Sequence, residues 1–207
     1  MTLKLNGSSD GSVSLSAPAD TSPSGTDVTL TLPTSDGDAD QFLQTNGSGV
    51  LSWAGVSGAV LQVLQTTDTA ARSTTSNTFV EGNNNLATNI TPASNSSKII
   101  VMVNGVWNSS DGDDSWYATI LRGSTNLGHS TRGLAHGVNI PGVARHQSQA
   151  TMMVVDTSHN SGGSQITYNM HYRNSNEDSD GSDLCMFNQD IDGDGLHAKM
   201  IVIEVAG

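Results

Sequence analysis

The stretch that decides the fold is Lys98-Ile99-Ile100-Val101-Met102-Val103-Asn104-Gly105-Val106-Trp107, which lies between a turn-rich segment and an acidic segment. Its five consecutive apolar residues are mostly branched, which predicts a β-strand. A strand with one face in water alternates apolar and polar residues. This one does not, so we expect both of its faces to be covered. The last strand, Met200-Ile201-Val202-Ile203-Glu204-Val205, has the same character.

One face of these two strands is expected to pack into a sandwich core, and the other face needs a second cover. The residues alone leave two covers open, loops of the same chain or identical subunits around a symmetry axis. Only 4% of residues are aromatic and 35% are hydrophobic, and such a chain gains buried area by association. We therefore predict subunit packing, with an interface formed by Ile99, Val101, Val103, Ile201 and Ile203.

The composition of the 207 residues, with 22 Gly and abundant Ser, Thr and Asn, predicts an all-β chain of short strands and many turns. No segment predicts a helix. The clearest strand is 165–173, where apolar and polar residues alternate. We expect it to form a hairpin with 150–156. The other strands are predicted near 60–67, 78–81, 86–91, 98–107, 115–123, 126–130, 184–188 and 197–205.

The charge of the chain excludes two classes of partner. Lys and Arg total 8 against 20 Asp and Glu, a formal net charge of −12. Nucleic acids select basic surfaces, so we expect no nucleic-acid partner. Anionic membranes do the same, and no segment approaches the length of a membrane span. The single cysteine, Cys185, has no intrachain disulfide partner and is expected to be a buried thiol.

Residues 1–57 differ from the rest, with one Lys, no Arg and six Asp. Short alternating segments, 13–17 and 28–33, predict half-buried strands, and 41–53 predicts a hairpin with glycines at its turn. Four short strands provide little core for an independent domain. We therefore predict two parts, residues 1–57 as an anchoring β module and residues 58–207 as the main domain.

Two resemblances extend this interpretation. Leu3-Lys4-Leu5-Asn6-Gly7-Ser8, Val28-Thr29-Leu30-Thr31-Leu32-Pro33 and residues 40–53 resemble the N-terminal module of marine tailed-phage virion proteins, especially cyanophage fibre-like ones. Residues 58–66, 76–80, 90–101, 120–128 and 199–204 are similar to the C-terminal jelly-roll heads of phage fibres, which look like trimers of the tumour-necrosis-factor or C1q type. The second resemblance implies a trimeric jelly roll, and the first implies attachment to a phage particle.

Possible metal chemistry centres on Asp190-Ile191-Asp192-Gly193-Asp194-Gly195, which matches the opening of an EF-hand loop. Ile201 stands where an EF-hand has its bidentate Glu, and no helices flank the segment. A looser calcium site formed by Asp190, Asp192 and Asp194 and a plain solvated turn both remain open, and we favour the turn. No nucleophile elbow, phosphate loop or Cys/His zinc pattern occurs. We expect a non-enzymatic protein.

The sequence points to one connection for contact with a ligand. In an acidic chain, the stretch from His129 to Gln149 holds Arg132, His136, Arg145 and His146. Arg can bind carboxylates with two hydrogen bonds, and His can bond sugar hydroxyls. Scattered polar loop residues are the plainer interpretation. The expectation is a homotrimeric virion appendage that binds a host-surface glycan or protein, and the alternative is a capsid decoration protein with a purely structural role.

Overall fold

The computed structural model describes residues 2–6, 12–16, 18–38, 41–81, 85–109, 115–137, 146–175, 185–188 and 197–207. The chain divides into two compact units, Met1–Val56 and Ser57–Gly207. Every regular element in the described residues is a β-strand, which confirms the prediction of an all-β chain. Within these ranges no helix is long and apolar enough to cross a membrane.

The N-terminal unit consists of two small antiparallel pairs. One pairs β1 with β2, and the other pairs β3 with β4. The segment 28–33, predicted as a strand, is not one of these strands. Among the described residues it makes one isolated bridge, a parallel one between Thr31 and Val50. The strands of this unit are β1 (Thr2–Asn6), β2 (Ser12–Ser16), β3 (Phe42–Thr45) and β4 (Leu51–Ala54).

Trp53 on β4 fixes the loop before β3. Its indole Nε1 donates to the carbonyl of Ser35 at 2.7 Å. The ring lies against Gly37, where a Cβ atom would come within 2.7 Å of it, and Gly37 has a φ of +74°. Only glycine adopts that backbone conformation without strain and also leaves room for the indole.

The described residues of the second unit form eleven strands in two facing antiparallel sheets, the arrangement of a β-sandwich. They are β5 (Val60–Asp68), β6 (Arg72–Thr74), β7 (Ala87–Ile90), β8 (Lys98–Ser109), β9 (Trp116–Arg122), β10 (Thr125–Asn126), β11 (Ala135–Gly137), β12 (His146–Asp156), β13 (Ile166–Asn174), β14 (Cys185–Phe187) and β15 (Ala198–Val205).

Strand β8 is the centre of the larger sheet, here called sheet I. Along one edge β8 pairs with β12 from Ile99 to Ser109. Its other edge is shared, first by β15 and then by β14. β5 flanks β15 and β6 flanks β14. The smaller sheet, sheet II, has the order β10-β9-β13-β7, with β11 also paired to β9.

The core between the sheets contains an aromatic cluster. Trp107 of β8 stacks on Trp116 of β9 with ring centroids 4.7 Å apart, and it also packs against Tyr172 and Phe187. All four residues are buried. Gly105 makes room for this cluster, since a Cβ there would come within 2.3 Å of the Phe187 ring. Cys185 is also buried and forms no disulfide, as the sequence predicts.

The alternation predicted for β13 is confirmed, because Tyr168, Met170 and Tyr172 are fully buried while the residues between them are partly exposed. The predicted hairpin of β13 with β12 is wrong. β12 pairs with β8 in sheet I, whereas β13 pairs with β7 and β9 in sheet II. The segment between β12 and β13 therefore crosses from one sheet to the other, and alternation within a strand carries no information about its partner.

Candidate functional site

The outward face of sheet I carries an apolar row across four strands. Val63 of β5 lies opposite Ile203 of β15, which lies opposite Ile100 of β8, which lies opposite Val155 of β12. Directly opposed side chains on one face of a sheet are about 5 Å apart, so these four form a continuous apolar strip.

The next row on the same face, two residues further along each strand, extends this strip. It runs from Gln65 through Ile201 and Met102 to Met153. A polar row bounds the strip, and in it the amide of Asn104 donates to the Thr151 hydroxyl at 2.7 Å. We call the two apolar rows the sheet I face. Its edges are the most open, with Val63, Met153 and Val155 exposed by 59%, 59% and 48%.

The location of this face corrects the predicted subunit interface. Ile99, Val101 and Val103 are at most 1% exposed and belong to the core of the single chain. They therefore present no area to another subunit. Ile201 and Ile203, from the same prediction, lie on the sheet I face and are partly exposed. From Ile99 to Val103, odd-numbered residues of β8 point inward and even-numbered ones outward, so the residues that β8 contributes to the sheet I face are Ile100 and Met102.

A second surface of interest lies on sheet II and is centred on Arg173. His136 of β11, Tyr117 of β9 and Arg173 of β13 are successive cross-strand partners. The guanidinium lies over the Tyr117 ring, 4.2 Å from its centroid, and over the Phe79 ring at 5.5 Å. His136 stacks on Tyr117 with centroids 6.0 Å apart. We call these four residues the Arg173 cluster.

Arg173 also fixes the turn that follows β10. Its Nε donates to the carbonyl of Thr131 at 3.0 Å, and Nη2 donates to the same oxygen. Nη1 donates to the carbonyls of Asn77 and Asn174 at 3.3 and 2.9 Å. Within the described residues no carboxylate forms an ion pair with this guanidinium. The cluster therefore keeps a net positive charge at the surface of an acidic chain.

Of the four predicted contact residues, His136 belongs to this cluster and Arg132 lies in the adjoining turn. Arg132 is exposed in the turn fixed by Arg173, and His136 is exposed on Tyr117. Arg145 lies outside the described residues, and His146 is the first residue of β12. The long connection predicted from His129 to Gln149 is wrong, because β11 and the start of β12 lie within it.

Arg173 and Tyr117 were not among the predicted contact residues. The alternation of apolar and polar residues along β9 and β13 could have predicted that both side chains point outward. Their pairing across strands depends on the register of the sheet, which the sequence does not give.

Asp156, at the end of β12, links the two sheets. Its carboxylate accepts two hydrogen bonds from Nη1 of Arg122, at 2.9 and 2.8 Å, and one from the Tyr168 hydroxyl at 2.7 Å. Burial raises the pKa of Asp156, but the hydrogen bonds from Ser158 and Tyr168 and the nearby Arg122 charge outweigh it and lower that pKa overall. The Asp156 carboxylate therefore stays ionised, and its hydrogen bonds join sheet I to sheet II.

The side chain of Glu204 lies on the inward side of β15, opposite the sheet I face, and is buried. Its carboxylate accepts a hydrogen bond from the Ala93 amide at 2.7 Å and another from the Gln62 side chain at 2.5 Å. Burial raises the pKa of Glu204, but the neighbouring Ser97 hydroxyl and the hydrogen bonds from Gln62 and Ala93 outweigh it, so that pKa is lowered overall. Like the Asp156 carboxylate, the Glu204 carboxylate stabilises the fold through hydrogen bonds within its own chain.

The predicted calcium ligands, Asp190, Asp192 and Asp194, lie outside the described residues. Among the residues that the structure describes, no group of three or more His, Cys, Asp or Glu side chains is placed to hold a metal ion. The calcium site therefore stays a prediction.

No protein-family model matches the chain, and no curated protein matches it in sequence. The interpretation of the two surfaces therefore depends on their own chemistry, on the fold and on the resemblances of particular segments.

Proposed function

We propose that the chain is a non-enzymatic structural protein of a phage particle, a homotrimeric appendage. In this proposal residues 1–57 attach it to other virion proteins, and residues 58–207 form a jelly-roll head that contacts a glycan or protein on the host surface. The observation that carries the proposal is the sheet I face, a largely apolar surface across four strands that is partly exposed at its centre and open at its edges.

The energetics support burial of this face by identical subunits. Fully burying one aliphatic side chain contributes about 1.5–3 kcal/mol, so covering the half-exposed Val63, Met153 and Val155 contributes about 1 kcal/mol each. The same surface on every copy supplies a partner of matching apolar character. Contiguous apolar surface of this kind in a protein marks an interaction site.

The Arg173 cluster supports a contact function at a different surface of the head. It gathers a guanidinium, two aromatic rings and an imidazole on the outward side of sheet II. Exposed Arg132 adds a second cation in the adjoining turn. Because the Arg173 guanidinium already donates to carbonyls of its own chain, the exposed Arg132 is the group proposed to bind a carboxylate. The imidazole of His136 can bond hydroxyl groups, and cell-surface glycans carry both kinds of group. Three copies in one particle turn a weak contact into an avid one.

The assignment to a phage particle is supported by the resemblance of residues 3–8, 28–33 and 40–53 to virion modules. The acidic composition agrees with a role that involves neither nucleic acid nor an anionic membrane.

Gold-labelled antibodies against residues 58–207, applied to purified particles of the phage that encodes the chain, test the proposal. We expect label on a tail or fibre, and none on particles that carry a chain lacking residues 1–57. Label over the head shell supports capsid decoration instead. Absence of the full-length chain from purified particles overturns the virion assignment.

A further inference from the structure

We infer that a pocket at the end of β9 binds a sugar acid, with the guanidinium of Arg122 holding the carboxylate of the ligand. The pocket lies between the turn that joins β9 to β10 and the segment that enters β13. Its Thr167 is about 20 Å from Arg173 along β13, so this site is distinct from the Arg173 cluster. The inference depends neither on the proposed trimer nor on the assignment to a phage particle.

Arg122 pairs with Asp156 through a single nitrogen. Its Nη1 donates to both carboxylate oxygens, at 2.9 and 2.8 Å. Arginine frequently binds a carboxylate in a different way, with two nitrogens donating to two oxygens. The edge of Arg122 that offers two parallel N–H groups, formed by Nε and Nη2, makes no hydrogen bond to a described residue. The ion pair with Asp156 therefore leaves a complete carboxylate-binding edge unused.

This unused edge of Arg122 is accessible from outside. The Arg122 side chain is 19% exposed, whereas that of Asp156 is 1% exposed. Nε and Nη2 do not belong to the buried side-chain atoms that lack a partner in the described part of the chain, so both reach solvent. Asp156 also accepts hydrogen bonds from the Ser158 amide and the Tyr168 hydroxyl. A fixed carboxylate therefore orients the guanidinium, and its free edge faces the pocket.

The pocket beside Arg122 has a volume of about 430 Å³. That volume lies within the range of small-molecule sites, about 300–1,000 Å³, and is more than a carboxylate alone needs. The hydroxyl of Ser124 and the amide of Gln165 make no hydrogen bond among the residues that the structure describes, and both residues are exposed. The lining contains no acidic residue and consists of Arg122, Gly123, Ser124, Ser161, Gln165, Ile166 and Thr167.

This lining fits a ring that carries hydroxyl groups and one carboxylate. The Nε and Nη2 edge matches the spacing of carboxylate oxygens. Ser124 and Gln165 can bond sugar hydroxyls, and Ile166 supplies apolar contact for the C–H groups of a ring. A phosphate group carries more negative charge than a carboxylate, so Asp156 on the other side of the guanidinium repels it more strongly. The chemistry therefore favours a carboxylated sugar over a sugar phosphate.

Nitrogen-15 NMR spectra of the full-length chain test the site, because the Nε–H signals of its five arginines are few enough to resolve. The Arg122 signal is assigned by through-bond correlation to its backbone. Sodium glucuronate is the probe, and glucose, acetate and inorganic phosphate are its matched comparisons. We expect glucuronate to shift the Arg122 signal and glucose to leave it unchanged. Acetate and phosphate are expected to bind about tenfold more weakly or worse.

Gln165→Glu tests the pocket without altering the ion pair. Gln165 is exposed, so the fold is expected to be retained. The new carboxylate repels the ligand and competes for Arg122, and we expect the affinity for glucuronate to fall about tenfold or more. The matched control is Gln44→Glu, the same change at an exposed glutamine of β3, which is expected to keep the wild-type affinity.

Four results would overturn the inference. The first is an Arg122 signal that glucuronate does not shift. Acetate that binds as tightly as glucuronate shows that no sugar ring is recognised. Phosphate that binds more tightly than glucuronate excludes a carboxylate as the ligand group. Unchanged glucuronate affinity in Gln165→Glu places the binding outside this pocket. Absence of the chain from phage particles refutes the proposed function but leaves all four measurements unaffected.

Discussion

Replacing Val63 and Val155 together by threonine isolates the contribution of the sheet I face. Threonine has nearly the shape and β-propensity of valine, and both positions are about half exposed in the single chain, so the fold of each subunit is expected to be retained. At a buried interface each added hydroxyl without a partner costs about 1–3 kcal/mol. Two substitutions per chain are therefore expected to weaken association by about 2–6 kcal/mol.

At about 1.4 kcal/mol for each factor of ten, that cost raises the dissociation constant at least roughly thirtyfold. Sedimentation velocity over a wide concentration range measures the shift, and far-UV circular dichroism checks the fold. The matched control is Val50→Thr, the same change at an exposed valine in the N-terminal unit. Trimers of the double variant that dissociate at the wild-type concentration refute the assignment of this face to the interface.

Three further outcomes are expected, the first from the sequence and the other two from the structure. Replacing Arg132 and Arg145 by serine leaves the trimer and its melting temperature nearly unchanged but reduces adsorption of the phage; normal adsorption favours the decoration role. Replacing Glu204 by Gln lowers the melting temperature at pH 7. As the pH falls, the melting temperature of this variant decreases less than that of the wild type. The reason is that the lowered pKa of Glu204 gives stability above its ordinary value of 4.5, which is lost as pH falls through the lowered value. Gly105→Ala destabilises the head by about 1–3 kcal/mol, measured by denaturant unfolding, because the new methyl group overlaps the Phe187 ring.

Strand positions were well predicted where burial imposes a regular pattern. The central strand predicted at 98–107 is β8 (Lys98–Ser109), and the last one predicted at 197–205 is β15 (Ala198–Val205). Both carry apolar residues on both phases because one phase fills the core and the other forms the sheet I face. The sequence predicted that both faces of these strands are covered. The core covers one face, and the cover of the other face stays a prediction.

The sequence did not show which phase points inward. Ile99 and Ile100 are chemically identical, and only the packing of β8 against sheet II buries the first and leaves the second outside. The predicted interface therefore included three core residues. Pairing partners were similarly undetermined, since β12 and β13 are adjacent in sequence but lie in different sheets.

The Arg173 cluster depends on the same undetermined pairing. Its members come from β11, β9, β13 and the segment before β7, and only the register of sheet II brings them together. Residue types alone therefore directed the prediction to His136, which belongs to the cluster, and to Arg132 in the adjoining turn, but overlooked Arg173 at its centre.

The native mass of the purified chain tests the central claim most directly. Sedimentation equilibrium at micromolar concentration, on the full-length chain and on residues 58–207, measures how many 21.5 kDa chains, or head fragments, form one particle. We expect three copies in both cases, because the sheet I face lies wholly within the second unit. A folded and stable monomer of the head fragment at that concentration would contradict the account.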